Sequence, residues 1–399
     1  MSDAWVETTL GEIATWGSGG TPKAGRPEFY EGGTIPWAVI ADLQDGPVGH
    51  TSKMLTPAGV NQIGHMAPEG AVLVSMYGTI GRLAMTTRAM ATNQAIAWGI
   101  ADRGRIDPWF LFHWLRGYQP SLDALARGAT QRNINREILK SQRILLPPLA
   151  VQRRIVDLMT HLDNHLANLV VDVHSVEGLT RALRDGLFGS FDGPNAPASQ
   201  MFDMLLGRQK SERQSVGDYV LPYLRAANIG EEGLRLNDVQ TMNFEPNEQQ
   251  KYGLVPDDIL IVEGGSVGLA ARWEGAILGT VGFDKHVIRL RARPELSSSE
   301  YGLQWAKWCR EAGVFEAQAT GITIKALGFG RASALPVPDI PLSEQERLTA
   351  PLAGAEHCLQ LLRSEVKSLR SLRTSMLSLL LSGDIVIPDS YDSLLAGVA

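Results

Sequence analysis

From Ile155 onward the chain places an apolar side chain at alternating steps of four and three: Ile155, Met159, Leu162, Leu166, Leu169, Val173 and Val176, then Thr180, then Leu183 and Leu187. The series returns 193 residues later as Leu348, Leu352, Ala355, Leu359, Leu362, Val366, Leu369, Arg373, Met376 and Leu380. Nine of ten positions in each run are apolar, and the polar exception, Thr180 or Arg373, falls at the same place. A 3.5-residue period held over five heptads predicts two coiled-coil helices, each about 35 residues and roughly 50 Å long. "PLAVQRRI" from Pro148 and "PLSEQERL" from Pro341 start them, and Gly189 and Gly383 stand where they should stop. Elsewhere the pattern is strand-like. "AVLVSMYG" and "DILIVEGG" are short β-rich runs ending in Gly turns, and "ATNQAIAWGI" and "KHVIRL" read as further strands. "DPWFLFHWLRG" and "SSEYGLQWAKWCREAG" read as short amphipathic helices with Asp or Ser near their starts.

The blocks ahead of the two long helices repeat as skeletons. "IPWAVIADLQDG" (from Ile35) is echoed by "LPYLRAANIGEEG" (from Leu221), and "APEGAVLVSMYGTIGRLA" (from Ala67) by "VPDDILIVEGGSVGLAA" (from Val255). "TNQAIAWGI" (from Thr92) pairs with "FDKHVIRLR" (from Phe283), and "GATQRNI" (from Gly128) with "QATGITI" (from Gln318). Pro, Gly and apolar positions persist while polar identities change, so a fold is held and a surface is free to differ. The expected fold is α+β: two domains of mixed strands and short helices joined by two long antiparallel coiled-coil helices. The expected boundaries are 1–147, a spacer helix over 148–189, a second domain over 190–340, a second spacer helix over 341–387, and a tail over 388–399.

Composition changes this picture only locally. The net charge is −6. Residues 82–143 nevertheless hold ten Lys or Arg against four Asp or Glu, a local +6, while 200–340 hold 15 basic and 18 acidic groups, −3. The first block therefore offers a phosphate-facing surface that the second would need to build by clustering. Two cysteines, Cys309 and Cys358, exclude a disulfide framework. No apolar run reaches 18 residues and "MSDAWVETTL" carries no basic-then-apolar signal, so a soluble, cytoplasmic protein with no membrane contact is expected.

Catalytic signatures are missing. There is no GxxxxGK[ST] phosphate loop, and no Asn-Pro-Pro-aromatic or Asp-Pro-Pro-Tyr tetrapeptide of the kind amino-methyltransferases use. The Gly-rich runs "GSGGTP", "YGTIG" and "GGSVG" lack the strand–turn–helix setting of a dinucleotide fingerprint. They read as turns, or as backbone able to approach a DNA phosphate. His161 and His165 stand four apart on a helix without a third ligand, and Glu263 in "PDDILIVEG" lacks the Lys two residues on that a nuclease pair needs. No catalytic, cofactor or metal residue is assigned.

"TLGEIATWGSGGTP" followed by "YEGGTIPWAVIADL" resembles the opening of the DNA-specificity subunits of type I restriction–modification enzymes, and "GATQRNINREILKSQRILLPPLAVQRRI" is similar to that family's passage from a target-recognition domain into its conserved helix. The resemblance covers nearly the whole chain, more loosely in the second half, where Gly-Gly-Thr-Pro is absent. It implies two domains that each read one part of a bipartite, asymmetric double-stranded DNA target, with the helices fixing the gap. It also implies two methyltransferase and two restriction–translocase subunits as partners. S-adenosylmethionine, ATP and Mg²⁺ would sit in those subunits and none in this chain.

Candidate DNA contacts are Thr21, Lys23, Arg26, Ser75, Tyr77, Thr79, Arg82, Arg127, Gln131, Arg132, Asn133 and Asn135 in the first half. In the second they are Arg225, Asn228, Ser266, Lys285, Thr320, Thr323 and Lys325. Tyr77 set against Gly265, and Gln131 against Gly321, suggest that the halves read different bases. Two other classes stay open: a coiled-coil scaffold without sequence-specific DNA binding, and an enzyme with an unrecognised site, against which no acid–base or metal constellation recurs in both halves.

Overall fold

The computed structural model describes residues 5–126, 133–209, 217–321 and 325–395. Two units form: residues 1–168 with 366–399, and residues 169–365. Each takes part of both long helices, so the units cut across boundaries drawn along the chain.

In the first unit a five-stranded sheet runs in the order Ala14–Ser18, Ile96–Ala101, Val72–Ser75, Leu83–Thr86, Gly46–Val48. A three-stranded sheet centres on Ile35–Ala38, antiparallel to Met54–Leu55 and parallel to Ala91–Thr92. The second unit repeats this plan. Its four-stranded sheet runs Phe202–Leu206, Val287–Ala292, Ile259–Val262, Ala270–Arg272. Its three-stranded sheet centres on Val220–Leu224, antiparallel to Gln240–Asn243 and parallel to Gly282–Phe283. In both, a short strand early in the half pairs with the strand just before the long helix: Val6–Thr9 with Arg143–Leu146, and Asn195–Pro197 with Pro336–Pro338. The repeat is therefore one of topology as well as sequence.

One amphipathic helix packs on each main sheet. Pro108–Ala124 is capped by Asp107, whose carboxylate accepts from the Trp109 and Phe110 N–H groups. Ser299–Glu311 is capped by Ser298, whose hydroxyl accepts from Tyr301 N–H at 3.1 Å. Such caps satisfy donors that the first helical turn leaves open. Phe110, Leu111, Phe112 and Leu115 lie in the first core with Val72, Val74, Ile155, Met159, Leu377 and Leu380. Tyr301, Trp305, Ala306 and Cys309 fill the second with Ile259, Ile261, Ile288 and Phe315.

The long helices are Leu149–Arg184 and Leu342–Ser382, the first ending in a π-turn over Asp185–Gly189. Of the seam residues, Ile155, Met159, Leu166, Leu169, Leu352, Val366 and Leu380 are buried. Leu162, Val173, Val176, Leu187, Leu348, Leu359, Leu362, Leu369 and Met376 are half-buried. Leu183 departs from the expected seam: it is 38% exposed, while Arg184 beside it is only 5% exposed. The sequence period of 3.5 gives way to the native 3.6, and the inward face drifts to Thr180, Arg184 and Phe188. Arg184 is stabilised inside by the Gln304 amide oxygen and by Glu311 and Glu356, which lie on the capped helix and the second long helix.

Ion pairs join the two long helices in each unit, and in the second they fix the sense of the pairing. In the second, Glu177 meets Arg363 and Arg184 meets Glu356, so rising numbers on one helix meet falling numbers on the other. In the first, Asp163 meets Arg373 at 2.9 Å, and the Arg116 guanidinium bridges Asp163 at 2.7 Å to Asp45 at 2.9 Å. Arg373, polar within an apolar series, thus belongs to a charge network that ties the sheet domain of its unit to both helices. The repeated "PLxxQ" has a matching role. Gln152 accepts from Asp107 N–H and donates to the Arg105 and Pro147 carbonyls. Gln345 accepts from Ser298 N–H and donates to the Leu296 and Ile340 carbonyls. Both glutamines are fully buried, and each staples a capped helix to the start of a long one.

Candidate nucleic-acid interface

Four loops converge at one edge of each unit, and the same backbone hydrogen bonds hold them twice. The Gly-rich turn after Val72–Ser75 is closed by Gly81 N–H on the Ser75 carbonyl at 3.0 Å; after Ile259–Val262, Gly268 N–H on Val262 closes the same turn at 2.9 Å. Gly78, Gly81, Gly265 and Gly268 all have φ between 65° and 82°, which a side chain would strain. The next loop attaches through Met76 N–H on the Ala95 carbonyl, matched by Glu263 N–H on His286. A third attaches through Gly20 N–H on Thr92, matched by Arg208 N–H on Phe283. The fourth, just before the long helix, attaches through Ile134 N–H on Met76, matched by Leu327 N–H on Glu263. Gly19 and Gly207 permit the close approach: a Cβ would lie 1.8 Å from the Thr92 carbonyl oxygen in one and 2.0 Å from that of Asp284 in the other.

These contacts correct the register read from sequence. The bridges Tyr77–Asn133 and Gly264–Ala326 make Gly264, not Gly265, the counterpart of Tyr77. Val72 follows Pro68 by four positions whereas Ile259 follows Pro256 by three, so the second turn arrives one residue sooner. Gly207 and Arg208 take the places of Gly19 and Gly20, which locates the missing counterpart of the first half's Gly-Gly-Thr-Pro.

Several candidate side chains are exposed on or near this edge. Thr21 donates its hydroxyl to the Gln94 amide oxygen, and Lys23 is held by its backbone N–H on Gln62 at 2.9 Å. Arg26 is exposed and pairs with Glu28 at 3.3 Å. Thr79 and Arg82 are exposed and Tyr77 and Asn133 half-buried. Asn135 is exposed but caps the short helix Arg136–Lys140, its side chain accepting from Ile138 N–H at 2.8 Å. In the second unit Ser266, Lys285, Thr320 and Lys325 are exposed. Thr320 accepts from Arg331, Lys325 pairs with Glu316, and Arg225 pairs with Asp238.

Two candidates do not reach solvent. Ser75 is fully buried; its hydroxyl donates to the Thr79 carbonyl and accepts from Arg82 N–H, so it shapes the turn instead. Asn228 is 2% exposed and spends its amide on Arg225 N–H and the Arg235 and Asp238 carbonyls. Arg127, Gln131, Arg132 and Thr323 lie outside the described residues.

The edge also carries residues that the sequence reading passed over: Gln94, Gln209 and His286, all exposed. The pairing of "TNQAIAWGI" with "FDKHVIRLR" already set Gln94 opposite Lys285. Beside Lys285, an open cleft of about 430 Å³ is lined by Tyr223, Arg225, Gln240, Asp284 and His286. Burial pushes the Asp284 carboxyl up, partly opposed by the His286 backbone N–H and the nearby Arg225 and Lys285 charges. Among the described residues no group of three or more His, Cys, Asp or Glu could hold a metal ion, and no helix is long and apolar enough to cross a membrane.

A model of the type I restriction modification DNA specificity domain matches residues 2–170. An Escherichia coli type I restriction enzyme specificity subunit is 26% identical over 44% of this chain and 43% of its own length. A Salmonella potsdam specificity subunit is 25% identical over 73% of this chain and 68% of its own. Among solved structures, a type I restriction–modification S subunit from M. genitalium aligns over 95% of this chain and 96% of its own, with a TM-score of 0.59 at 16% identity. A chain from a structure describing assembly of a type I restriction–modification system aligns over 96% and 99%, with a TM-score of 0.61 at 18% identity. The chain is therefore similar to type I restriction enzyme specificity subunits, and residues 2–170 match the model of their DNA specificity domain.

Proposed function

We propose that this chain is the sequence-specific DNA-recognition subunit of a type I restriction–modification complex. Each unit presents its four-loop edge to one part of a bipartite, asymmetric target, and the paired helices set the gap between the parts. The observation that carries this reading is the duplicated edge: one backbone hydrogen-bond frame, built twice, with different exposed side chains on each copy. A shared frame positions the backbone against phosphates, and differing side chains specify bases. The chain itself does no chemistry. Two modification subunits would bring S-adenosylmethionine, and two translocating restriction subunits ATP and Mg²⁺. Leu179 and Leu372, 53% and 48% exposed at matching places on the two helices, support a scaffold that offers one surface twice. The complex with its methyltransferase subunits should enrich two dissimilar short motifs at a fixed gap from a randomised duplex library. Enrichment of nothing would favour the coiled-coil scaffold without sequence-specific binding; a palindromic or continuous motif would contradict the two-part reading.

A further inference from the structure

Asn93 and Asp284 close the same turn in the two units. Each side chain accepts from the backbone N–H two residues on, Ala95 at 3.1 Å and His286 at 3.0 Å. Each backbone N–H donates to the adjoining parallel strand, to the Ala38 and Leu224 carbonyls, both at 3.0 Å. Such side-chain-closed turns hold the residue between them in one place. That residue is Gln94 in the first unit and Lys285 in the second, and both are exposed. The frame is thus identical on either side of a position whose identity changes from an amide to an ammonium.

The chemistry of the two tips differs in a way base edges can use. A glutamine amide pairs in two-point fashion with adenine N6 and N7, whereas a lysine ammonium suits the guanine O6 and N7 acceptors. Gln94 is also pre-set. The Thr21 hydroxyl donates to its amide oxygen, which fixes the amide plane and leaves one lone pair and the whole NH₂ group to face outward. Lys285, among the described residues, makes no side-chain hydrogen bond or ion pair. It lines the open cleft with Arg225, Gln240 and His286.

We propose that Gln94 and Lys285 are a specificity-determining pair, Gln94 reading an adenine edge in one part of the target and Lys285 a guanine edge in the other. This rests on the DNA-reading function proposed above. Thr21 acts as a positioning residue for Gln94.

The test is selection from a randomised duplex library by the complex with its methyltransferase subunits, comparing wild type with Q94A, Q94K, K285Q and T21V. Both tips are exposed, and unchanged thermal unfolding of each variant checks that folding is intact. Q94A should make one adenine position of one half-motif degenerate and weaken the best site roughly tenfold, leaving the other half-motif intact. Q94K should move that position toward guanine, and K285Q should move one guanine of the other half-motif toward adenine. T21V should relax the Gln94 position without altering the salt dependence, which a phosphate contact would alter. A wild-type complex that selects two half-motifs, with variants that select the same ones, overturns the pair. So does a K285Q variant that merely binds more weakly at every sequence with a shallower salt slope. If the wild type selects no motif, the DNA-reading function itself fails, and that outcome is separately visible.

Discussion

Gln152 and Gln345 are the letters of the repeated "PLxxQ" whose chemistry is the same in both copies. Each fully buried amide makes three hydrogen bonds to backbone groups, so its loss leaves a part-buried N–H and two carbonyls without that partner and opens a cavity. Gln152→Ala or Gln345→Ala should destabilise its unit by about 2–3 kcal/mol. Chemical denaturation checks this, with the exposed Arg153→Ala as a variant expected to change little. Arg154 and Arg347 share a letter and not a role. Arg154 is 5% exposed and pairs with Asp389 and Asp392, whereas Arg347 is exposed with Glu344 alone. His113 adds a pH dependence. It is 1% exposed, and burial, reinforced by the Arg116 charge, pushes its pKa down to about 3. An unfolded His titrates near 6.5, so the unfolded chain takes up a proton below that pH while the folded one does not until about 3. Stability is therefore full above pH 6.5 and falls as pH drops toward 3. Between pH 7 and 5 the loss attributable to this group is about 2 kcal/mol. His113→Asn should flatten that part of the profile in thermal melts at the two pH values; an unchanged slope would remove His113 as its source.

At the scale of elements, the spacer helices make the sharpest prediction. Adding one heptad to both, at facing positions, keeps their apolar register and lengthens each by about 10 Å, near three base pairs of duplex. Methylation mapping should then show loss of the native site, with any new site keeping both half-motifs across a gap about three pairs longer. Continued methylation of the original spacing at the original rate would refute the ruler. These helices, the strands and the two capped helices were legible in sequence because period and cap chemistry are local. What sequence missed is non-local. Leu183 yields its inward place to Arg184, and a buried Arg184 is tolerated because Gln304, Glu311 and Glu356 reach it from elsewhere in the chain. Ser75 looked available on a Gly-rich turn, yet its hydroxyl closes that turn. Gln94 was passed over because a sequence pairing with Lys285 does not reveal that the side chains of Asn93 and Asp284 close the same turn around both.

For the whole molecule, the exposed Leu179 and Leu372 should set how many partner subunits bind. Leu179→Asp or Leu372→Asp should each remove one methyltransferase copy, read by native mass spectrometry, and the double variant both; retention of two copies in every variant would place that contact elsewhere. A different consequence follows from how the chain is shared out. The second unit is continuous, residues 169–365, but the first combines 1–168 with 366–399. Leu377 and Leu380 cover Ile155 and Met159, and Asp389 and Asp392 neutralise Arg154. At about 5–20 residues per second on the ribosome, these late residues follow Asn168 by roughly 10–40 s. For that interval the earliest-made half exposes an unfinished apolar surface and a buried-type guanidinium without its counter-charges, while the later-made half completes itself. Between these two units, the one begun earlier is therefore the one finished later.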